Sequence, residues 1–289
     1  MTGGGLPVAI VHACLRDGAG GSPTAVTYEA SLSDDDRRRL PVVAGTSHAV
    51  FVSVADGRPG GPLVSLRFFT AEGELPACGH GTVAALAFLA ARTGGEERRW
   101  TLRASGRVFT GRSARAGAYI EADFDAGPVR LRAPTAGERS GILSALGLPA
   151  DPLAAGIRVA STGRPRVLVP VATRSALAAL APDLHRLRTT CDRFGLLGCY
   201  VHSVPTGTGR VAARMFAPSI GVPEDIANAN STACLAAHLS GHGPTGIVVD
   251  MGDSLHSPAT ITATARPGPA GPLVRLGGTA RIVRTVRLP

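Results

Sequence analysis

Short, largely apolar runs set between segments rich in Gly, Pro, Ser and charged residues recur along the chain and predict strands. In the first half such runs cover residues 7–13, 24–29, 49–54, 63–69, 100–103, 107–111 and 118–124. Gly/Pro turns fall at 18–23 and 56–62, and the Arg-rich stretch 92–99 reads as solvated loop. In the second half they cover 166–171, 199–203, 247–251, 259–264, 274–276 and 280–286. Helical patterns are fewer. Ser33 followed by Asp34, Asp35 and Asp36 reads as a capped start, and residues 138–146 and 174–181 read as short helices. Two Ala-rich runs, 83–90 and 231–239, read as helices, one buried in each half. Many strands around few helices define an α+β protein.

The two buried helices are part of a longer echo. Arg67-Phe68-Phe69-Thr70 precedes Cys78, and Arg214-Met215-Phe216-Ala217 precedes Asp225 at the same offset, with an Ala-rich helical run after each. A repeated pattern predicts two related domains, 1–125 and 126–289, joined through the Pro- and Arg-containing segment 126–137. The last strands are able to pack back on the first domain. If the two face each other, Cys78 and His80 approach a bound molecule from one side and Asp225 from the other, so a proton can leave at one place and return at another.

The chemistry concentrates where a loop meets the first buried helix, at Cys78-Gly79-His80-Gly81-Thr82. Amides in the first turn of a helix lack intrahelical partners and attract anions, so a carboxylate is the expected guest. The same positive end favours thiolate character at Cys78. A thiol and an imidazole two residues apart are proton-transfer groups, and a carboxylate-bearing small molecule is the matching substrate.

Composition narrows the function classes. The chain has 289 residues, 44% of them hydrophobic, enough for a sizeable core in one large or two medium domains. A net charge of +9 would point toward nucleic acid, but all 30 basic residues are Arg, scattered, with few aromatics between them. Nucleic acid is therefore not the expected partner. The absence of Lys removes Schiff-base chemistry and any phosphate-loop lysine. Cys14, Cys78, Cys191, Cys199 and Cys234 form no Cys-x-x-Cys pair, so neither a metal knuckle nor a disulfide framework is expected. With no membrane-length apolar run and no signal-like start, the expected location is the cytoplasm.

Several motifs in order resemble the PhzF-like isomerases of the diaminopimelate-epimerase superfold over nearly the whole chain. They are Gly21-Ser22-Pro23-Thr24-Ala25-Val26, Leu32-Ser33-Asp34-Asp35, Thr46-Ser47-His48-Ala49-Val50-Phe51-Val52 and Glu74-Leu75-Pro76-Ala77-Cys78-Gly79-His80-Gly81-Thr82. Ser161-Thr162-Gly163-Arg164-Pro165, Arg214-Met215-Phe216-Ala217-Pro218, Gly221-Val222-Pro223-Glu224-Asp225 and Gly277-Gly278-Thr279-Ala280 follow. The Cys-Gly-His-Gly spelling is also similar to the first catalytic loop of proline racemases. The resemblance implies two pseudo-symmetric domains, each a curved, mostly antiparallel sheet wrapped around a central helix, with the active site between them. It also implies a homodimer, no organic cofactor and no metal. His80 and Asp225 then fall on catalytic positions, and the substrate carboxylate sits near Gly79, Gly81 and Asn230, with Thr82, Asn228 and Ser231 beside it.

Two departures change the chemistry. Where the family carries its catalytic glutamate, this chain has His48, whose ordinary pKa of about 6.5 suits proton transfer. The proton shuttle is thus His48, Cys78 or Asp225. Ile226-Ala227-Asn228-Ala229-Asn230-Ser231 replaces the segment that follows the aspartate, and Asn230 keeps a donor and an acceptor. Asp250 to Pro258 loses a family arginine, which implies a changed substrate; His256 there reads as a loop residue. Cys234 reads as core, and His185, His202, His238 and His242 as surface or packing residues. The expected activity is a double-bond shift by proton transfer in a small unsaturated amino or carboxylic acid of specialised metabolism, similar in type to the isomerases of 4-alkylproline pathways. The alternatives are a racemase working Cys78 against Asp225, and an inactive acid-binding homologue.

Overall fold

A computed structural model describes residues 5–55, 62–94, 96–149, 156–241 and 243–288. The turn expected at 56–62 and His242 lie outside the described residues, Pro62 excepted. The chain divides into two compact units, one of residues 1–125 with 277–289 and one of residues 126–276.

The first unit contains β1 (Leu6–Ala13), β2 (Ser22–Tyr28), α1 (Asp34–Ala44), β3 (His48–Ala55), β4 (Leu63–Thr70), β5 (Gly73–Leu75), α2 (Gly79–Thr93), β6 (Glu97–Ala104), β7 (Arg107–Ala116) and, as far as Asp125, β8 (Tyr119–Pro128). β1–β2, β3–β4, β4–β5, β6–β7 and β7–β8 pair antiparallel, whereas β2–β3 and β4–β6 are parallel. α1 starts at a capping box in which Ser33 and Asp36 satisfy each other's orphan groups, and it ends at Gly45 with φ 69°. Its Leu40 and Ala44 pack with Val8, Ile10, Ala25, Ala49, Phe51 and Phe69 on one face of the sheet. Side chains alternate across a strand, so His48, Val50 and Val52 leave from the other face, where α2 packs. α2 is buried from Gly79 to Leu89, which explains why its sequence carries no polar stripe.

The second unit contains β9 (Arg130–Arg132), α3 (Ala136–Leu146), β10 (Arg158–Ser161), β11 (Pro165–Val171), α4 (Arg174–Ala178), α5 (Leu184–Phe194), β12 (Cys199–Ser203), β13 (Arg210–Ala217), β14 (Val222–Asp225), α6 (Ala229–Leu239), β15 (Gly246–Met251), β16 (Ala259–Arg266) and the first residues of β17 (Leu273–Leu288). β11 pairs parallel with β12 and β13 with β15; the remaining neighbours are antiparallel. Val167, Val169 and Val171 of β11 face α3 and α5, with Ile142, Leu146, Leu187 and Cys191 filling that core. The opposite face of β11 and β12 carries Arg166, Leu168, Tyr200 and His202. There α6 lies, and Tyr200 shares a hydrogen bond of 2.8 Å with Thr232.

Three readings of the sequence need correction. The stretch 92–99 is not a loop: α2 runs on to Thr93 and β6 begins at Glu97, because exposed Arg side chains hide the start of a half-buried strand. The helix α5 is absent from the sequence reading. It buries only Leu187, Thr190 and Cys191, a narrow stripe among charges, behind the N-cap Asp183. The last two predicted strands are one, β17. Gly278 there does not end a strand; a Cβ on it would sit 3.1 Å from Cys14 Sγ, so the glycine permits close approach.

Candidate active site

In the first unit the loop that closes β5 delivers Cys78 as the N-cap of α2, with extended backbone (φ −140°, ψ 113°) and no capping bond from its side chain. The first intrahelical bond runs from the Thr82 amide to the Cys78 carbonyl at 2.9 Å, so the amides of Gly79, His80 and Gly81 precede the ladder. The Thr82 hydroxyl donates to the same carbonyl at 2.8 Å, so its side chain braces the turn. Gly81 is required for packing: a Cβ there would meet Cys78 Sγ at 2.9 Å and Val50 and Phe68 at 3.1 Å.

His48 enters from the first residue of β3, on the face under α2. Its ring packs edge-on against His80, centroids 4.4 Å apart and planes at 84°. His80 Nε2 lies 3.4 Å from Cys78 Sγ. Together the three donor atoms fall within 4.8 Å of one another, and the residues are 3%, 5% and 2% exposed for His48, Cys78 and His80. Ser47 Oγ sits 2.9 Å from His48 Nδ1 and fixes the ring, leaving Nε2 as its other working atom. Burial, and secondarily the neighbouring His80, hold the pKa of His48 well below 6.5. His48 is therefore a neutral imidazole at neutral pH. Two imidazoles and a thiol also form a donor set that could hold a soft divalent cation.

In the second unit Asp225 ends β14 and is 5% exposed. Asn228 Nδ2 donates to its Oδ2 at 2.9 Å, and the Ala227 amide approaches Oδ1 at 3.4 Å. Asn228 is also the N-cap of α6, its Oδ1 accepting from the Ser231 amide at 2.9 Å. One amide side chain thus caps the helix and orients the carboxylate. Ser231 is fully buried, whereas Asn230 is half-buried at the second helical position. The equal offset of Cys78 and Asp225 from their arginines is not an equal place on the helix. Cys78 is the cap of α2, and the residue that occupies that place before α6 is Asn228.

The arginines do share a role. Arg67 pairs with Glu74 at 2.7 Å and stacks over Phe69, and Arg214 pairs with Glu224 at 2.8 Å and stacks over Phe216. Both brace a short hairpin ahead of a buried helix. Sequence reasoning missed Arg166. It is 2% exposed on β11, its Nη1 lies 3.4 Å from Ser231 Oγ, and its Nε has no partner among the described residues. The signal was present as a cation inside the apolar strand run 165–171. Three other thiols stay protonated: burial raises the pKa of Cys191 to about 12 and pushes Cys199 and Cys234 upward as well. Cys234 is core, as expected, and His202 is buried packing with its pKa lowered to about 4.

Against known proteins, the mixed, sheet-dominated fold is shared with PhzF proteins and with a hydroxyproline epimerase. A predicted epimerase from Pseudomonas aeruginosa superposes with TM-score 0.82 over 98% of this chain and 99% of that one, at 27% identity. A hydroxyproline epimerase from Agrobacterium vitis superposes with TM-score 0.61 over 98% and 90%, at 12% identity, which is likeness of fold alone. The chain belongs to the phenazine biosynthesis-like PhzC–PhzF family, whose model matches residues 11–286. Among its relatives, the uncharacterized isomerase YddE of Escherichia coli is 30% identical over 77% of this chain and 75% of its own length. Trans-2,3-dihydro-3-hydroxyanthranilate isomerase of Pseudomonas fluorescens is 30% identical over 77% and 76%. The chain is an isomerase. No helix among the described residues is long and apolar enough to cross a membrane.

Proposed function

We propose that the protein shifts a double bond in a small unsaturated amino or carboxylic acid by moving a proton between carbons, without cofactor, with His48 as the base. The observation that carries this reading is a buried imidazole, kept neutral by its surroundings, beside a thiol and a second imidazole at a helix start. With Nδ1 engaged by Ser47, Nε2 of His48 takes the proton. The first-turn amides of α2 receive the carboxylate or the negative charge that develops as the C–H bond breaks. His80, held against Cys78, stands next to His48 as the group through which charge and proton are shared. The reading includes Asp225 as a second proton-handling group on the same substrate and Asn230 as a polar contact. This rests on the family resemblance and on the burial of Asp225 beside Asn228.

A place in specialised metabolism, such as a 4-alkylproline route, is part of the proposal and is supported by the loss of the family arginine in the segment 250–258. The thiol–imidazole approach of 3.4 Å also favours a second reading, a racemase or epimerase using Cys78. Incubation in D₂O separates the two. Trans-2,3-dihydro-3-hydroxyanthranilate, β,γ-unsaturated amino acids and saturated amino acids are offered in turn and followed by NMR. Deuterium at a vinylogous carbon of an unsaturated acid supports the isomerase. Deuterium only at Cα of a saturated acid supports the racemase, and no exchange with any acid contradicts both.

A further inference from the structure

Arg166 is a charge without a counter-charge. It is 2% exposed, and no carboxylate among the described residues lies within 4.0 Å of its guanidinium. The two contacts it makes are neutral: Nη2 donates to the Arg164 carbonyl at 2.7 Å, and Nη1 makes a long contact of 3.4 Å with Ser231 Oγ. Nε donates to nothing among the described residues. Buried Asp225 receives a hydrogen bond from Asn228 at 2.9 Å, and the remaining buried charges are ion-paired. Arg37 is paired with Glu29 at 2.6 Å, Glu138 with Arg132 at 2.6 Å, and Asp250 with Arg210 at 2.7 Å.

Its position adds to the imbalance. Ser231 is the third residue of α6, so the guanidinium lies against the end of the helix that already carries partial positive charge. A cation buried against that end is costly unless an anion joins them, and Arg is the side chain suited to a planar carboxylate. We propose that Arg166 and the first turn of α6 form an anion subsite of the second unit that reads an acidic group of the substrate. The inference rests on the reading of the substrate as a small acid and makes Arg166 a specificity-determining residue. An acid is accepted there, and the same skeleton carrying a neutral amide in its place is refused.

The test uses the full chain with malonate as probe and malonamide as its neutral counterpart, read by thermal melting across a concentration series. Malonate should raise the wild-type melting temperature and malonamide should not. Arg166→Met should weaken the apparent malonate affinity at least about tenfold, while Arg166→Lys keeps part of it and Arg139→Ala, on α3, keeps all of it. An unchanged malonate response in Arg166→Met, or no response in the wild type, overturns the proposal. If Arg166→Met fails to fold, the wild type labelled with ¹⁵N-arginine decides. The Arg166 Nε resonance should move on adding malonate, and a fixed resonance means a buried cation with a structural role only. Failure of the isomerase reading is separate: deuterium exchange can be absent in a protein that still binds malonate through Arg166.

Discussion

A histidine held neutral inside a protein behaves differently from a free one. Because burial lowers the pKa of His48 well below 6.5, the imidazole is already an acceptor across the neutral range. The rate constant kcat/KM is therefore expected to stay level from about pH 6.5 upward and to fall only well below that, as His48 gains its proton. A pH–rate profile with an ascending limb centred near 6.5 to 7 would assign the base to a different, solvated group. At Asn228 two duties meet in one amide. Asn228→Ala should cost about 1 kcal/mol in urea unfolding through the lost α6 cap, and should also reduce activity by releasing Asp225. An Asn228→Asp variant keeps the cap acceptor but sets a second carboxylate against Asp225 in place of a donor, so it should recover neither the full stability nor the activity.

At the scale of elements, the start of α2 is the part most sensitive to bulk. A methyl on Gly81 would lie 2.9 Å from Cys78 Sγ and 3.1 Å from Val50 and Phe68. Gly81→Ala is expected to lose about 1–3 kcal/mol of stability and to displace the thiol. A melting curve and the rate of Cys78 alkylation check both. Much of this element was legible in the sequence: Cys-Gly-His-Gly before an all-apolar run marks a buried helix with its polar groups gathered at the start. Elements with mixed burial were less legible. α5 buries only three positions among its charges, although Leu184, Leu187, Cys191 and Phe194 keep a helical spacing, and β6 begins with three exposed residues ahead of its buried Trp100, Leu102 and Ala104, so its start is hidden. Gly277-Gly278 looked like a break because the close approach of Cys14, which makes glycine necessary, is a tertiary fact.

For the whole molecule, two neutral buried histidines set the response to acid. The folded pKa values of His48 and His202 lie below the unfolded value of about 6.5, so the unfolded chain binds more protons as pH falls. Stability should be fully present above pH 6.5 and should decline between about 6.5 and 4, the window in which His202 contributes. His202 Nε2 has no partner in the interior, so His202→Leu should be neutral or stabilising by about 1 kcal/mol at pH 7 and should flatten that acid slope. Urea midpoints measured from pH 7 to pH 4 test both statements; an unchanged slope in the variant would remove His202 from the account. The motif order foretold the family across the chain, but Arg166 escaped because its meaning depends on which charges fail to meet it, and spacing along the sequence does not carry that. His48 was visible as a substitution, whereas its neutrality follows from burial beside His80.

Whether His48 moves the proton is decided by exchanging that one side chain and measuring substrate-proton exchange in D₂O. His48→Gln keeps size and polarity but lacks a basic lone pair, and His48→Glu restores a base of the kind the family carries at this position. His48→Gln should lose about 10²-fold or more, and His48→Glu should return to roughly a tenth of wild-type exchange or better. Wild-type exchange by His48→Gln would contradict that role and would move the base to Cys78 or Asp225.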